Sequence, residues 1–206
     1  MKLSDWFAHP EQSINYMTCH DNLVLWDKLK LSMPSATDDL LTRTAKIGYL
    51  VLLTSQGVPF MQGGEEFGRS KGGDDNSYAS PDSVNEVDWS LKVKNHDLFA
   101  YVRDLIALRK AHPLFRLRTR EDIRARVRFL ASDSGLAYEI DGNGVPGEDW
   151  NQALVIVNPD NENPMSMSLP GGDWEAACDE HGATMGQTMN GTVSVPAKSG
   201  LVLFKQ

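Results

Sequence analysis

The sequence is short of several things, and each shortage closes a door. It has two cysteines in 206 residues, Cys19 and Cys178, far apart and flanking no metal-type spacing. This excludes a disulfide-built scaffold and a cysteine-held zinc site. Two free buried thiols are expected, with a single disulfide as the alternative. Long apolar runs are missing: the longest, Tyr49 to Leu53, is far too short to cross a membrane. Positive charge is in deficit, with 20 Lys and Arg against 28 Asp and Glu and a net charge of -8. Nucleic acid needs a basic surface, so neither it nor a membrane is an expected partner. The start, Met1-Lys2-Leu3-Ser4-Asp5-Trp6, lacks the apolar core of a signal peptide, which favours a cytoplasmic place. There are no long repeats and no low-complexity tail.

What is present suits a globular chain: 41% of residues are hydrophobic and 23% charged. The length allows one large domain or two small ones. Residues 1 to 12 read as a lead-in, with Trp6 and Phe7 either packed or loose. Ser13 to Cys19 reads as a strand through Ile14, Tyr16 and Thr18. It runs into His20-Asp21-Asn22 and an apolar Leu23-Val24-Leu25-Trp26, and a short helix or loop excursion follows to Leu31. Ser35 to Asp39 offers hydroxyl caps and acids for the start of a strongly apolar helix ending near Thr54. Gly57 terminates it. Val58 to Met61 is a continuously apolar strand of the buried parallel kind. A long loop follows, from Gly63 to about Asn95. Asp97 to Ala111 is an amphipathic helix, with Leu98, Val102, Leu105 and Ile106 on one side and Arg103, Asp104, Arg109 and Lys110 opposite. Pro113 ends it.

From about Arg118 short strands take over: 127–130, 136–140, 153–158, 165–169, 192–195 and 201–204. Turn signals at Asp141-Gly142-Asn143-Gly144, Asn158-Pro159-Asp160, Pro170-Gly171-Gly172 and Asn190-Gly191 separate them. Such regular short strands argue an antiparallel sandwich. Trp26, Trp150 and Trp174 are expected to be packed, with stacking on a bound ligand as the alternative.

A strand ending in His20-Asp21 is where an α/β barrel places its chemistry, although a His-Asp pair before Asn is also ordinary turn chemistry. The wording around it decides. Ile14-Asn15-Tyr16 leading to His20-Asp21-Asn22, then Leu25-Trp26-Asp27-Lys28-Leu29, Gly57 to Phe67, Asp74 to Tyr78 and Pro81 to Asn85, resembles the end of the catalytic barrel in the α-amylase superfamily of glycoside hydrolases (family 13). Within that superfamily it is most similar to the type I pullulanases, which debranch α-glucans. The resemblance covers about the first half of the chain; the second half matches in character.

The resemblance implies α/β plus all-β architecture: the final βα units of a (β/α)8 barrel over 1–117, then an antiparallel β-sandwich over 118–206. It implies that Asp21 is the third catalytic carboxylate, stabilising an oxocarbenium-like transition state, with His20 and Asn22 binding the same sugar. Asn76 and Tyr78 would line the glucan path, and Arg69 would do likewise or be solvated. Gln62 stands where many amylases have tyrosine. Glu66 matches a structural glutamate, and Glu65 beside it would point the other way on extended backbone. The nucleophile and acid/base belong to earlier strands that this sequence does not contain, so the chain alone is expected to be inactive. Expected partners are α-glucans (pullulan, glycogen or starch branch points), and a second copy or a complementing amino-terminal barrel portion. The alternative is a glucan-binding or docking module. No cofactor is required; calcium at Asp74, Asp75, Asp82 or Asp88 is possible, but those aspartates lack the spacing of a dedicated site.

Overall fold

The computed structural model describes residues 9–132, 135–184 and 186–206; Trp6 and Phe7 lie outside the described residues. In chain order the strands and helices are β1 (Ile14–Asn15), α1 (Leu25–Ser32), α2 (Asp38–Thr54), β2 (Val58–Pro59), α3 (Asp82–Asn85), α4 (Ser90–Lys94), α5 (His96–Ala111) and α6 (Arg120–Arg126). After them come the strands β3 (Val127–Leu130), β4 (Leu136–Asp141), β5 (Gln152–Asn158), β6 (Met165–Ser168), β7 (Trp174–Asp179), β8 (Gly182–Ala183), β9 (Thr188–Met189), β10 (Thr192–Val195) and β11 (Ser199–Lys205).

Helix α2 forms where the sequence places its cap. Thr37 Oγ1 accepts the Leu40 N–H at 3.2 Å and opens α2, with Asp38 and Asp39 at its positive end. The far end of α2 is closed from another helix. Arg109 of α5 donates to the carbonyls of Leu53 (2.9 Å), Ser55 (2.7 Å) and Gly57 (2.7 Å). Sequence periodicity puts Arg109 on the polar side of α5; the structure buries it, because the orphan carbonyls of α2 need a donor there. Gly57 sits at φ +94°, a turn only glycine takes freely, and leads into β2. β2 pairs with β1 in parallel, Ile14 beside Val58. Both strands are shorter than expected, since pairing stops after two residues in each.

The carboxyl-terminal half is a seven-stranded sheet in the order β3-β4-β5-β11-β7-β8, with β9 also on β7. Its pairings are antiparallel. One face meets α2 and α5: Tyr138, Ile140, Val155, Val202 and Phe204 pack with Tyr49, Leu50, Tyr101 and Leu105. The other face meets the two-stranded ribbon β6-β10: Leu154, Ile156, Leu201 and Leu203 pack with Met165, Met167, Val193 and Val195. Burial on both faces explains why β5 and β11 are apolar at successive positions, whereas β6 and β10 alternate. The sandwich is therefore lopsided, a two-stranded ribbon on one face of a seven-stranded sheet, with helices α2 and α5 on the opposite face. Gly200 lets α2 approach β11 closely, since a Cβ there would lie 2.2 Å from Leu50 Cδ2 and would force that side chain to shift.

Other expectations need correcting. The strand-rich half opens with a helix, α6, whose cap is Thr119 accepting the Asp122 N–H at 3.0 Å. Strands β7, β8 and β9 are additional to those read from the sequence. The loop from Gly63 to Asn95 carries α3, α4 and two short 3-10 turns, so it is an ordered excursion. Both cysteines are free; Cys178 is buried and Cys19 half-buried. Trp150 and Trp174 are buried, as the packed reading expects, and cannot offer the sandwich an exposed stacking face.

Candidate functional site

Beyond β1 the chain bends at Met17, buries Thr18 and then emerges. His20, Asp21 and Asn22 are exposed, the first two by 84% and 87% of their side chains, with His20 Nε2 3.4 Å from Asp21 Oδ2. Asn22 turns the backbone through φ 68°, a conformation its short amide tolerates. Its Oδ1 accepts the Leu23 N–H at 2.8 Å. Leu23, Val24 and Leu25 then dive into the core. The result is a polar tip between two buried anchors, with a carboxylate free to accept bonds from a ligand's hydroxyls.

The anchors share one group. Glu65 is 2% exposed. Its Oε1 accepts the Thr18 hydroxyl and, at 3.3 Å, the Leu25 N–H; its Oε2 accepts the Gln62 N–H at 3.3 Å. Burial pushes the carboxyl up to about 7, opposed by the two N–H donors and Lys28 and assisted by Glu66. Residues Glu65 to Phe67 form a 3-10 turn rather than extended backbone, with Glu65 buried; half-buried Glu66 accepts the Gly64 N–H at 2.9 Å. Gln62 contributes its backbone to this turn.

A second segment carries Asn76 and Tyr78. Tyr78 is 89% exposed on the 3-10 turn Ser77–Ala79, and the Asn76 side chain is exposed beside it. Beneath them the loop is tightly tied. Asp27, buried on the first turn of α1, accepts Ser70 Oγ (2.5 Å), Lys71 N (2.7 Å) and Gly73 N (3.1 Å). Lys71 Nζ donates to Ser77 Oγ at 2.6 Å, and Asn85 Nδ2 holds the carbonyls of Ser77 and Ser80. Arg69 donates to the carbonyls of Gly63 (3.2 Å) and Asn85, so it staples the loop. Among the described residues no hydrogen bond or ion pair joins His20, Asp21 or Asn22 to Asn76 or Tyr78. The two segments are related through α1, one hung from its start and the other from Asp27.

Trp26 is half-buried under Lys30, 5.7 Å from the ring centroid. An exposed aromatic that the sequence does not single out is Trp89, 66% accessible and tilted on Phe67 at 5.7 Å. Two of the four aspartates considered for calcium, Asp74 and Asp88, accept local hydrogen bonds. Asp74 takes Ser80 Oγ and Asn76 N, Asp88 takes the Ser90 hydroxyl and N–H, and these donors hold both carboxyls low. Among the described residues, one metal-type cluster exists, His112, Glu148 and Asp149. Glu148 there already accepts His112 Nδ1 and the N–H groups of Leu114, Asp149 and Trp150, which is a structural pin.

No protein-family model matches the chain. Individual proteins do. The chain is 34% identical over 203 residues to a pullulanase of Bacillus subtilis, covering 95% of the chain and 27% of that protein. A solved pullulanase from Bacillus acidopullulyticus superposes with a TM-score of 0.93 at 41% identity, covering 98% of the chain and 25% of the other. A pullulanase from Anoxybacillus complexed with maltotetraose gives 0.91 at 31% identity, covering 98% and 29%.

This chain is homologous to the pullulanases. It spans about a quarter of the length of the relatives it matches. Unlike the sequence resemblance, which is strongest before residue 118, the likeness to the solved pullulanases runs through the sheet as well.

Proposed function

We propose that this chain is the carboxyl-terminal part of an α-glucan debranching glycoside hydrolase that cleaves α-1,6 linkages with retention. The observation that carries the proposal is the His20-Asp21-Asn22 tip at the carboxyl end of a parallel strand, within a chain homologous to pullulanases over 95% of its length. In this reading residues 1–117 are the last two βα units of a (β/α)8 barrel, β1 to α2 and β2 to α5, and residues 118–206 are a sandwich packed on them. A barrel closes with eight strands, and among the described residues the two-stranded β1-β2 sheet has open edges on both sides for the others.

Asp21 would hold the ring hydroxyls and stabilise developing positive charge. His20 and Asn22 would bind the same ring, and Asn76 and Tyr78 would line the path of the chain. Retaining hydrolysis needs two further carboxylates about 5 Å apart. Glu65 is buried and committed to three donors, so it does not supply one. The isolated chain should therefore bind glucan without cleaving it, until a complementing barrel portion supplies the pair.

The test is reducing-sugar release from pullulan, with a maltotetraose titration alongside, for the chain and for Asp21→Ala. Binding without release, weakened in the variant, is expected. Release lost in the variant would show that the chain supplies its own nucleophile. Absence of any glucan binding, alone and after complementation, would sink the proposal.

A further inference from the structure

We propose that Glu65 is a positioning residue that sets the His20-Asp21-Asn22 tip by holding the chain on both sides of it. Thr18 lies two residues before His20 and Leu25 three after Asn22, and both donate to the same oxygen of one side chain. Between these anchors the backbone must turn through the left-handed Asn22. A loop over residues 19–24, fixed at both ends by a single acceptor, has little freedom left, so the direction in which Asp21 leaves the core is decided at Glu65. The other oxygen holds Gln62 N, which prevents the carboxylate from following the loop if the loop moves.

The surroundings fit a clamp rather than filler. The groups facing Glu65 are Thr18 from beyond β1, Leu25 and Lys28 from α1, Gln62 and Glu66 from its own turn, and Tyr49 from α2. The Tyr49 hydroxyl is buried with no hydrogen-bond partner among the described residues, and both glutamates push its ionisation upward after burial itself. A charge-bearing group kept in such a place is costly, and an apolar side chain of equal volume would fill the space as well. What the apolar side chain could not do is bind Thr18 and Leu25 together.

This inference rests on the proposed function only for what the tip does; that the tip is held by Glu65 can be tested without a sugar. Amide hydrogen exchange is measured by NMR on the full chain, at a pH above about 7 where the Glu65 carboxyl has given up its proton, for wild type, Glu65→Gln, Glu65→Ala and Thr18→Val. In Glu65→Ala, exchange at Cys19 to Leu25 should rise about tenfold or more, as expected for a lost buried hydrogen bond, with β5 and β11 unchanged. Glu65→Gln keeps the volume and one acceptor oxygen but turns an amide NH2 toward a donor, so it should fall between alanine and wild type. Space-filling alone predicts glutamine equal to wild type, and that result, or exchange raised uniformly over the sheet, overturns the proposal. Should both Glu65 variants unfold, Thr18→Val decides: it removes one donor only and should loosen the same segment, and an unchanged segment there overturns the proposal too. Maltotetraose titration of the wild type runs in parallel. Failure to bind there counts against the glucan reading and leaves the exchange result on Glu65 standing.

Discussion

Asp27 of α1 and Ser70 of the following loop meet at 2.5 Å across 43 residues of chain. With the Lys71 and Gly73 N–H groups on its other oxygen, the buried Asp27 carboxylate is the point from which the segment bearing Asn76 and Tyr78 hangs.

Asp27→Ala should therefore release residues 70 to 80 without melting the sheet. Hydrogen bonds to a charged acceptor are worth about 1.5–3 kcal/mol each, but the freed donors lie near water, so a loss of roughly 2 kcal/mol is expected. Urea denaturation gives the total, and exchange at residues 70 to 80 gives its place. A loss shared by the whole chain would contradict a local tether.

Arg109→Met should cost more, because the damage is internal. It strips the donors from the carbonyls of Leu53, Ser55 and Gly57 at the junction of α2 and β2. Breaking a buried charged group's bonds costs about 3–5 kcal/mol, though methionine spares the desolvation that pulls the Arg109 guanidinium down to about 10, so roughly 3 kcal/mol is expected. Arg109→Lys should lose less, having one donor group for three acceptors. Equal losses for the two would mean that Arg109 acts by packing.

Stability should fall as pH rises through the range set by Glu65. Its carboxyl is raised from 4.5 to about 7, so the folded chain holds a proton that the unfolded chain has released. Under linkage, that contribution is full below about 4.5 and is gone above about 7, a change of about 3 kcal/mol. Glu65→Gln should flatten this part of the profile. Denaturation midpoints at pH values on either side of the window decide it, and parallel profiles for the two proteins would refute the assignment.

The physical reasons for what is legible in the sequence are visible residue by residue. Helix α2 and strands β5 and β11 announce themselves because burial of one or both faces is written as apolar periodicity. The His20-Asp21-Asn22 tip is legible because polarity changes abruptly at the end of an apolar strand. Strand β7, Trp-Glu-Ala-Ala-Cys-Asp, is not: alanine, glutamate and cysteine do not favour strands, and pairing with β11, β8 and β9 makes them one. Helix α6 is hidden because its apolar content is Ile123 and Ala125, although the Thr119 cap is there to be read. The roles of Glu65 and Asp27 depend on partners 40 or more residues away, a separation no local pattern records.

The β1-β2 pair carries the last prediction. Ile14, Tyr16, Val58 and Phe60 are all exposed, and Tyr16 and Phe60 meet edge to face at 6.4 Å just past the end of the small sheet. Neither strand has a second neighbour among the described residues, so unpaired backbone groups lie beside exposed apolar side chains. Such an edge recruits another strand. The isolated chain should associate with itself in a concentration-dependent way, seen as a rising sedimentation coefficient. Tyr16→Lys combined with Phe60→Lys should shift it toward monomer, since charge on an open edge opposes pairing. Addition of a complementing barrel portion should suppress the association of the wild type, because that portion would occupy the same edges. A wild-type chain that sediments as a monomer at every concentration would mean that these edges are satisfied in some other way, and the open-barrel reading would lose its physical support.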